Sequence, residues 1–310
     1  MEKLFTQILI NYQKKINKEI KRFFDKKISQ TNLPFLKKTL KILKEFSLRP
    51  AKRTRAILVN YGYFLAGGKE KRKILKTSIF IELVHNYLII HDDIIDRDKI
   101  RRGGKALHYQ YQKTPYLDKK EKEHYGQSIA MVAGDLMASL GYGILTFAKF
   151  PNNFKIQALA KLNQIIHSTC YGQMFELRLR ERIKFNKKIG ENEIFEIYRN
   201  KSAQYSFVGP LQIGATLAGA DQKFLKKIEE FALPLGIAFQ IQDDILDVKS
   251  DSRENQPTLI RKSNSLQYCQ NTVKKLINQS KEILNRKRDF PKKEKQFLFD
   301  LINYIATKNS

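Results

Sequence analysis

Two short acidic runs share one internal spacing. His91-Asp92-Asp93-Ile94-Ile95-Asp96 recurs 151 residues later as Gln242-Asp243-Asp244-Ile245-Leu246-Asp247, each an Asp-Asp-x-x-Asp box closing an apolar stretch. On a helix the first and last aspartates of a box, four positions apart, lie on one face with the middle one alongside. Carboxylates that close repel each other. At the end of an apolar helix they are destabilising unless a cation neutralises them. Hard divalent cations take oxygen ligands, and Mg²⁺ characteristically combines one or two carboxylates with substrate phosphates. No His/Cys cluster offers a competing zinc site. Neither box runs on into an EF-hand loop with its central Gly and final Glu. A single box would read as well as an acidic helix end in water. A second copy, again in apolar context, points instead to two boxes facing one another across a bundle and holding several Mg²⁺ around one diphosphate.

Cations stand where such an anion would need them. Arg101-Arg102-Gly103 follows the first box within a few residues. Lys52-Arg53-Thr54-Arg55 is expected to open the preceding helix, which would put Lys52 and Arg55, three apart, on one face. Arginine suits bidentate contact with phosphate oxygens, and lysine acts as a point charge. Each cluster alone reads as a solvated helix end. Their value lies in their place beside the carboxylates.

The elements that must position these groups are helices. Leu36, Leu40, Leu43 and Phe46 form one stripe, Ile57, Leu58, Tyr61, Phe64 and Leu65 another, and Ile79, Leu83, Tyr87, Leu88 and Ile90 a third. Segments 127–150, 155–183, 190–220, 222–247, 265–286 and 292–306 have the same period. Turns are marked by Gly67-Gly68, Arg102-Gly103-Gly104, Pro151-Asn152-Asn153 and Pro291. Gly (15) and Pro (8) are sparse, which disfavours a sheet-rich fold. With no repeat, linker or composition break, residues 1–310 read as one all-α domain, a single large antiparallel bundle.

Bulk properties bound the rest. The balance of 58 Lys+Arg against 31 Asp+Glu gives +27, a field that attracts anions of any kind. The lysines are spread along the chain, so no dedicated nucleic-acid partner is expected. Ser78–Ile90, an apolar stretch carrying Glu82, His85 and Asn86, is too short to span a bilayer, and the N-terminus has no signal-peptide pattern. At most peripheral membrane contact is expected. Cys170 and Cys269, 99 residues apart, read as free buried or half-buried thiols in a reducing, cytoplasmic compartment.

From about Leu36 to the last helix the chain resembles the trans-isoprenyl diphosphate synthases (polyprenyl synthetases), the family of farnesyl and geranylgeranyl diphosphate synthases. The resemblance rests on Arg49-Pro50-Ala51-Lys52-Arg53-Thr54-Arg55, Glu82-Leu83-Val84-His85, both boxes, Arg101-Arg102-Gly103, Ala133-Gly134-Asp135, Lys201-Ser202-Ala203 and Phe239-Gln240. It implies the isoprenoid synthase fold with a central active-site cavity, a homodimer and Mg²⁺, three ions with the substrate diphosphate bound. Asp92, Asp96 and Asp243 would bind the metal, with Asp93, Asp244 and Asp247 close by. Arg101, Lys201, Ser202 and Gln240 would contact the allylic diphosphate, and Lys52, Arg55, His85 and Arg102 would hold isopentenyl diphosphate. A lone histidine on an apolar helix is otherwise a satisfied core residue. The reaction implied is 1′-4 head-to-tail condensation. A bulky residue five positions before the first box shortens the product in this family; Tyr87 stands there, and Leu88 lies more directly beneath Asp92. With no insertion in the first box, geranylgeranyl diphosphate or a near-length product is expected.

The chain departs from that pattern at three places. Ala51 replaces a glycine and Ser202 a threonine. The segment after Asp247 is about ten residues short on the family pattern, with one lysine missing and Gln256 in place of another. Lys249, Arg253, Arg261 or Lys262 could compensate. Two alternatives stay open on this sequence: a weakly active or non-catalytic subunit of a heteromeric synthase, and a class I terpene cyclase.

Overall fold

The computed structural model describes residues 2–113, 117–247 and 256–307. Helices α1 Glu2–Ser29, α2 Pro34–Leu48, α3 Thr54–Leu65 and α4 Lys71–Ile95 lead into a two-stranded hairpin, β1 Ile100–Arg101 and β2 Gly104–Lys105. Then come α5 Leu107–Tyr111, α6 Lys119–Thr146, α7 Asn152–Lys184 and α8 Glu191–Ile197. A π-helix, Tyr198–Val208, is followed by α9 Gly209–Leu217, α10 Gln222–Asp247, α11 Leu259–Ser263, α12 Leu266–Arg286 and α13 Lys292–Thr307. The all-α expectation holds, and the hairpin is the single sheet among the described residues.

Local sequence accounts for most ends. Asp118, Thr258 and Ser265 cap α6, α11 and α12 by accepting from the N–H groups of Glu121, Arg261 and Tyr268 at 3.0, 3.3 and 3.1 Å. Asn264 closes α11 in the left-handed conformation at φ 50°. On α12 the buried set Cys269, Val273, Ile277, Ser280 and Leu284 follows helical spacing, so a single stripe faces the core.

The chain gathers into two compact units. One comprises residues 7–57 and 70–149. Its central helix is α4, which buries Ile74, Phe80, Ile81, Leu83, Val84 and Ile90 around more than one side. Helix α6 packs along it, bringing Gly141 against Val84 and the Phe80 carbonyl. The other unit comprises residues 1–6, 58–69 and 150–310. Helix α10 is central there, packed by the π-helix and α12. Phe297 of α13 stacks on Tyr61 at a 3.4 Å centroid separation and meets Phe5 at 5.3 Å.

Three expectations need correction. Segment 190–220, read as one helix, is α8, the π-helix and α9, because the backbone widens to i→i+5 bonding over 198–208 without any change in hydrophobic pattern. Lys52 and Arg55 do not share a helix face: α3 starts at Thr54, and Arg53 before it is left-handed at φ 57°. Of the two thiols only Cys269 is buried; Cys170 is exposed.

Candidate active site

Within the first box the carboxylates divide by environment. Asp93 is fully buried, and its Oδ1 accepts from Arg101 Nε at 2.5 Å and from Arg101 Nη2. Arg101 Nη2 also donates to Asp98 Oδ2 at 2.7 Å. Burial pushes the Asp93 carboxyl up to about 6, with Arg101 working against the shift. Its second oxygen, Oδ2, is buried without a hydrogen-bond partner. Asp92 and Asp96 stay half-buried at the end of α4, where the Asp96 N–H donates to the Asp92 carbonyl at 2.8 Å.

Arg101 and Arg102 are delivered by the hairpin. Arg102 and Gly103 occupy its turn with φ of 52° and 76°, the doubly left-handed pattern of a tight hairpin turn. Arg49 fixes this hairpin from the end of α2. Its Nη1 donates to the carbonyls of Arg101 and Lys105, both at 3.0 Å, while Nε and Nη2 grip Glu45 at 2.9 Å each. A Cβ at Gly104 would stand 2.6 Å from the Arg49 guanidinium carbon, so any side chain there would have to push the guanidinium off its hairpin contacts. Arg102 Nη1 reaches Asn86 Oδ1 at 3.5 Å. Burial, reinforced by neighbouring arginines, lowers Arg102 to about 10, which leaves it charged at neutral pH.

Arg53, which lies between the expected substrate contacts Lys52 and Arg55, is a core residue. Its buried guanidinium donates to Asn17 Oδ1 at 2.8 Å, to the carbonyls of Ser47 and Arg49 at 2.5 and 3.2 Å, and to Glu82 Oε2 at 3.3 Å. Glu82 Oε1 accepts the Ala56 N–H at 3.1 Å, occupying one of the open donors at the start of α3. This knot presents Arg55, whose Nη1 lies 3.1 Å from His85 Nε2. Burial first, and the charges of Arg55 and Arg102 next, hold His85 well below its ordinary range. A guanidinium can only donate, so Nε2 of the neutral ring accepts and Nδ1 carries the proton. Lys52 is exposed just before α3. The structure thus joins Arg55 to His85 and sets Arg102 nearby, through their mutual electrostatic influence.

The second box repeats the division. Asp244 is buried; its Oδ1 accepts from Gln240 Nε2 at 2.9 Å and its Oδ2 from the Tyr198 hydroxyl. Gln240 Oε1 accepts from Ser202 Oγ at 2.6 Å, so Tyr198 and Ser202 of the π-helix meet Asp244 and Gln240 of α10 in antiparallel register. Tyr198 oxygen also accepts the Leu259 N–H at 2.8 Å. Burial and the Asp244 carboxylate keep that phenol protonated by raising it well above 10. Lys201 Nζ pairs with buried Glu176 at 2.7 Å, which Arg180 also engages. Asp243 is half-buried. Asp247 ends the helix backbone, and its side chain lies outside the described residues, as do Lys249 and Arg253. Gln256 is half-buried, and Arg261 and Lys262 are exposed.

Tyr87 and Leu88 are both half-buried on α4, and Tyr87 meets the His91 ring edge-on at 4.7 Å. His91 Nε2 donates to the Met131 carbonyl at 3.0 Å and lies 3.6 Å from Asp135. Gly134 makes room for that ring, since a Cβ would come within 2.6 Å of it.

Sequence reasoning missed Tyr198, Glu176, Arg49, Asn86 and Asp98. Most of their partners lie 16 to 56 positions away in sequence, where no local spacing signals them; Asp98, three positions before Arg101, is the exception. Tyr198→Phe is expected to keep the fold while costing about 1–3 kcal/mol, because a buried carboxylate and a backbone N–H both lose their partner. Urea denaturation measures this; an unchanged midpoint would show that the hydroxyl contributes nothing.

The donor set suits a hard cation. Asp92, Asp96 and Asp243 offer only oxygens, and Asp93 keeps one buried oxygen unmatched. Among the described residues no three carboxylate, imidazole or thiolate groups are gathered closely enough to hold an ion by themselves.

Comparison with known proteins now bears on this arrangement. The polyprenyl synthetase family model matches residues 37–293. This chain belongs to the polyprenyl synthetase family. Among its curated relatives, a geranylgeranyl diphosphate synthase of Methanosarcina mazei is 27% identical over 285 residues, covering 78% of this chain and 82% of that protein. A farnesyl diphosphate synthase of Haemophilus influenzae is 30% identical, covering 81% and 78%. Among solved structures, a Corynebacterium glutamicum geranylgeranyl pyrophosphate synthase, complexed with isoprenyl diphosphate and magnesium, superposes with a TM-score of 0.82 at 18% identity over 96% of this chain and 99% of that one. This polyprenyl synthetase therefore has the all-α isoprenoid synthase fold that its sequence led us to expect.

Proposed function

We propose that this chain is a Mg²⁺-dependent trans-prenyltransferase that condenses isopentenyl diphosphate with an allylic diphosphate, using residues 1–310 as one polyprenyl synthase domain. The observation that carries the reading is the same division of labour in both boxes: a buried middle aspartate tied to a neighbouring side chain, and a leading aspartate left half-exposed. Names of the relatives support it. They are synthases, and no observation favours the subunit or the cyclase alternative.

Asp92, Asp96 and Asp243 would hold Mg²⁺, with Asp93, Asp244 and Asp247 in support. When bound, the ions, three in our reading, supply Lewis-acid stabilisation of the departing diphosphate. The chain does the rest. Arg101, Lys201, Ser202 and Gln240 orient the allylic diphosphate, whose C1–O bond breaks to give an allylic cation. Lys52, Arg55, His85 and Arg102 orient isopentenyl diphosphate, whose double bond forms the new C–C bond. A proton passes from the condensed product to the released diphosphate, which departs. Neutral His85 can carry a donor to phosphate at Nδ1 without adding charge. Lining that excludes water matters because water would trap the cation.

Assay of the purified chain with Mg²⁺, labelled isopentenyl diphosphate and allylic starters of several lengths tests this. Turnover to geranylgeranyl diphosphate or a near-length chain is expected; no turnover with any starter would overturn it. Replacing Tyr87 by Ala is expected to lengthen the product, as read by chromatography, and an unchanged length would remove Tyr87 from that role.

We read the protein as a cytoplasmic homodimer. Exposed, unpaired Cys170 suits a reducing compartment. Helix α6 is the one described helix long and apolar enough to cross a membrane, and its exposed Met131 (50%) and Val132 (65%) suit a subunit interface. Light scattering at twice the chain mass is the expected result.

A further inference from the structure

We propose that a basic-rimmed groove in the unit built around α4 docks the protein on an anionic phospholipid surface. This site is independent of the prenyltransferase reading. The groove, about 1090 Å³, lies between the end of α1, the start of α4 and the end of α6. Its apolar part is formed by Phe23, Leu140, Ile144 and Phe147. Phe147, which caps α6, is 85% exposed, the most of any large apolar side chain among the described residues.

Six cations surround that apolar part, Lys26, Lys27, Arg72, Lys73, Lys76 and Lys149, against the single acid Glu70. Among the described residues, no ion pair engages Lys26, Lys27, Arg72, Lys76 or Lys149. Local helix stability explains only part of this. Lys26 and Lys27 sit in the last turn of α1, where cations complement the helix dipole. Arg72 and Lys73 sit in the first turn of α4, which has no acid, so there the dipole opposes them. Of the groove's lining side chains, Glu70 at the N-cap of α4 is the one acid set against these cations.

The layout selects the occupant. A pocket for one soluble diphosphate would aim buried cations at one point. Here Lys26, Lys27, Arg72, Lys76 and Lys149 are all exposed, and they come from three separate parts of the chain. Spread cations around an exposed aromatic suit a charged sheet of headgroups into which Phe147 inserts.

Co-sedimentation of the full chain with phosphatidylcholine vesicles, with and without phosphatidylglycerol, tests the proposal. Binding only to the anionic vesicles, reversed by salt, is expected. Lys26→Glu/Arg72→Glu/Lys76→Glu should weaken it by roughly a hundred-fold or more, and Phe147→Ser should weaken it without altering net charge. Lys187→Glu/Lys188→Glu/Lys223→Glu, an equal change of charge elsewhere on the exposed surface, should have much less effect. Equal loss in both triple variants would mean diffuse attraction by the +27 chain and overturn the proposal. So would equal binding to neutral vesicles, release by soluble prenyl diphosphate, or a change of oligomeric mass in Phe147→Ser. Turnover of soluble substrates should be unchanged in the groove variants, and its loss would place these residues in the reaction instead. Wild-type protein that binds vesicles but turns over nothing would overturn the prenyltransferase reading alone.

Discussion

Asp92→Ala is expected to lower kcat by about a thousand-fold or more while leaving the helical circular dichroism unchanged. Asp92 is half-buried on the last turn of α4, and its carboxylate is not the one that holds the hairpin. Removing it takes charge from the metal side of the site without opening the core. Asp243→Ala should behave alike, for the same reason in α10. Asp93 provides the contrast. Its carboxylate is the buried partner of Arg101, so Asp93→Ala should lower stability as well as turnover. Stopped assays with saturating substrate, paired with thermal melts, separate the two classes. Retained activity in Asp92→Ala would sink the proposed role of the box.

The largest loss of stability is expected at Glu82. Truncation to Ala strands the Arg53 guanidinium in the core and leaves the Ala56 N–H without its acceptor, for a cost of about 3–5 kcal/mol. Both partners are almost wholly inaccessible, with 0% and 3% side-chain exposure, so solvent cannot compensate. Urea unfolding gives the measurement, and a shift below 1 kcal/mol would mean that the pair has relaxed around water. A double variant, Arg53→Met/Glu82→Ala, should cost less than the sum of the two single losses, because the second change removes the charge that the first left unpaired.

How far the sequence alone reached can be judged from these same residues. Helices, most boundaries and both boxes were legible, because apolar residues repeat at helical period up to each acidic run. The division of roles within each box was not. Asp92 and Asp93 are adjacent and chemically identical. Only the partner decides which is structural, and that partner is Arg101 for Asp93 and Tyr198, 46 positions away, for Asp244. Lys52 was misplaced because a left-handed Arg53 leaves no local signature: arginine does not favour that conformation, and a buried network imposes it. The π-helix escaped for a similar reason, since its residues keep an ordinary helical composition.

Arg49 and Gly104 also limit how this sequence can drift. A side chain acquired at position 104 must displace the guanidinium and loosen its hold on two hairpin carbonyls, and a lineage that loses the guanidinium first has released those carbonyls outright. Either order of substitution weakens the same two contacts, so the two positions should tend to be inherited together or replaced together.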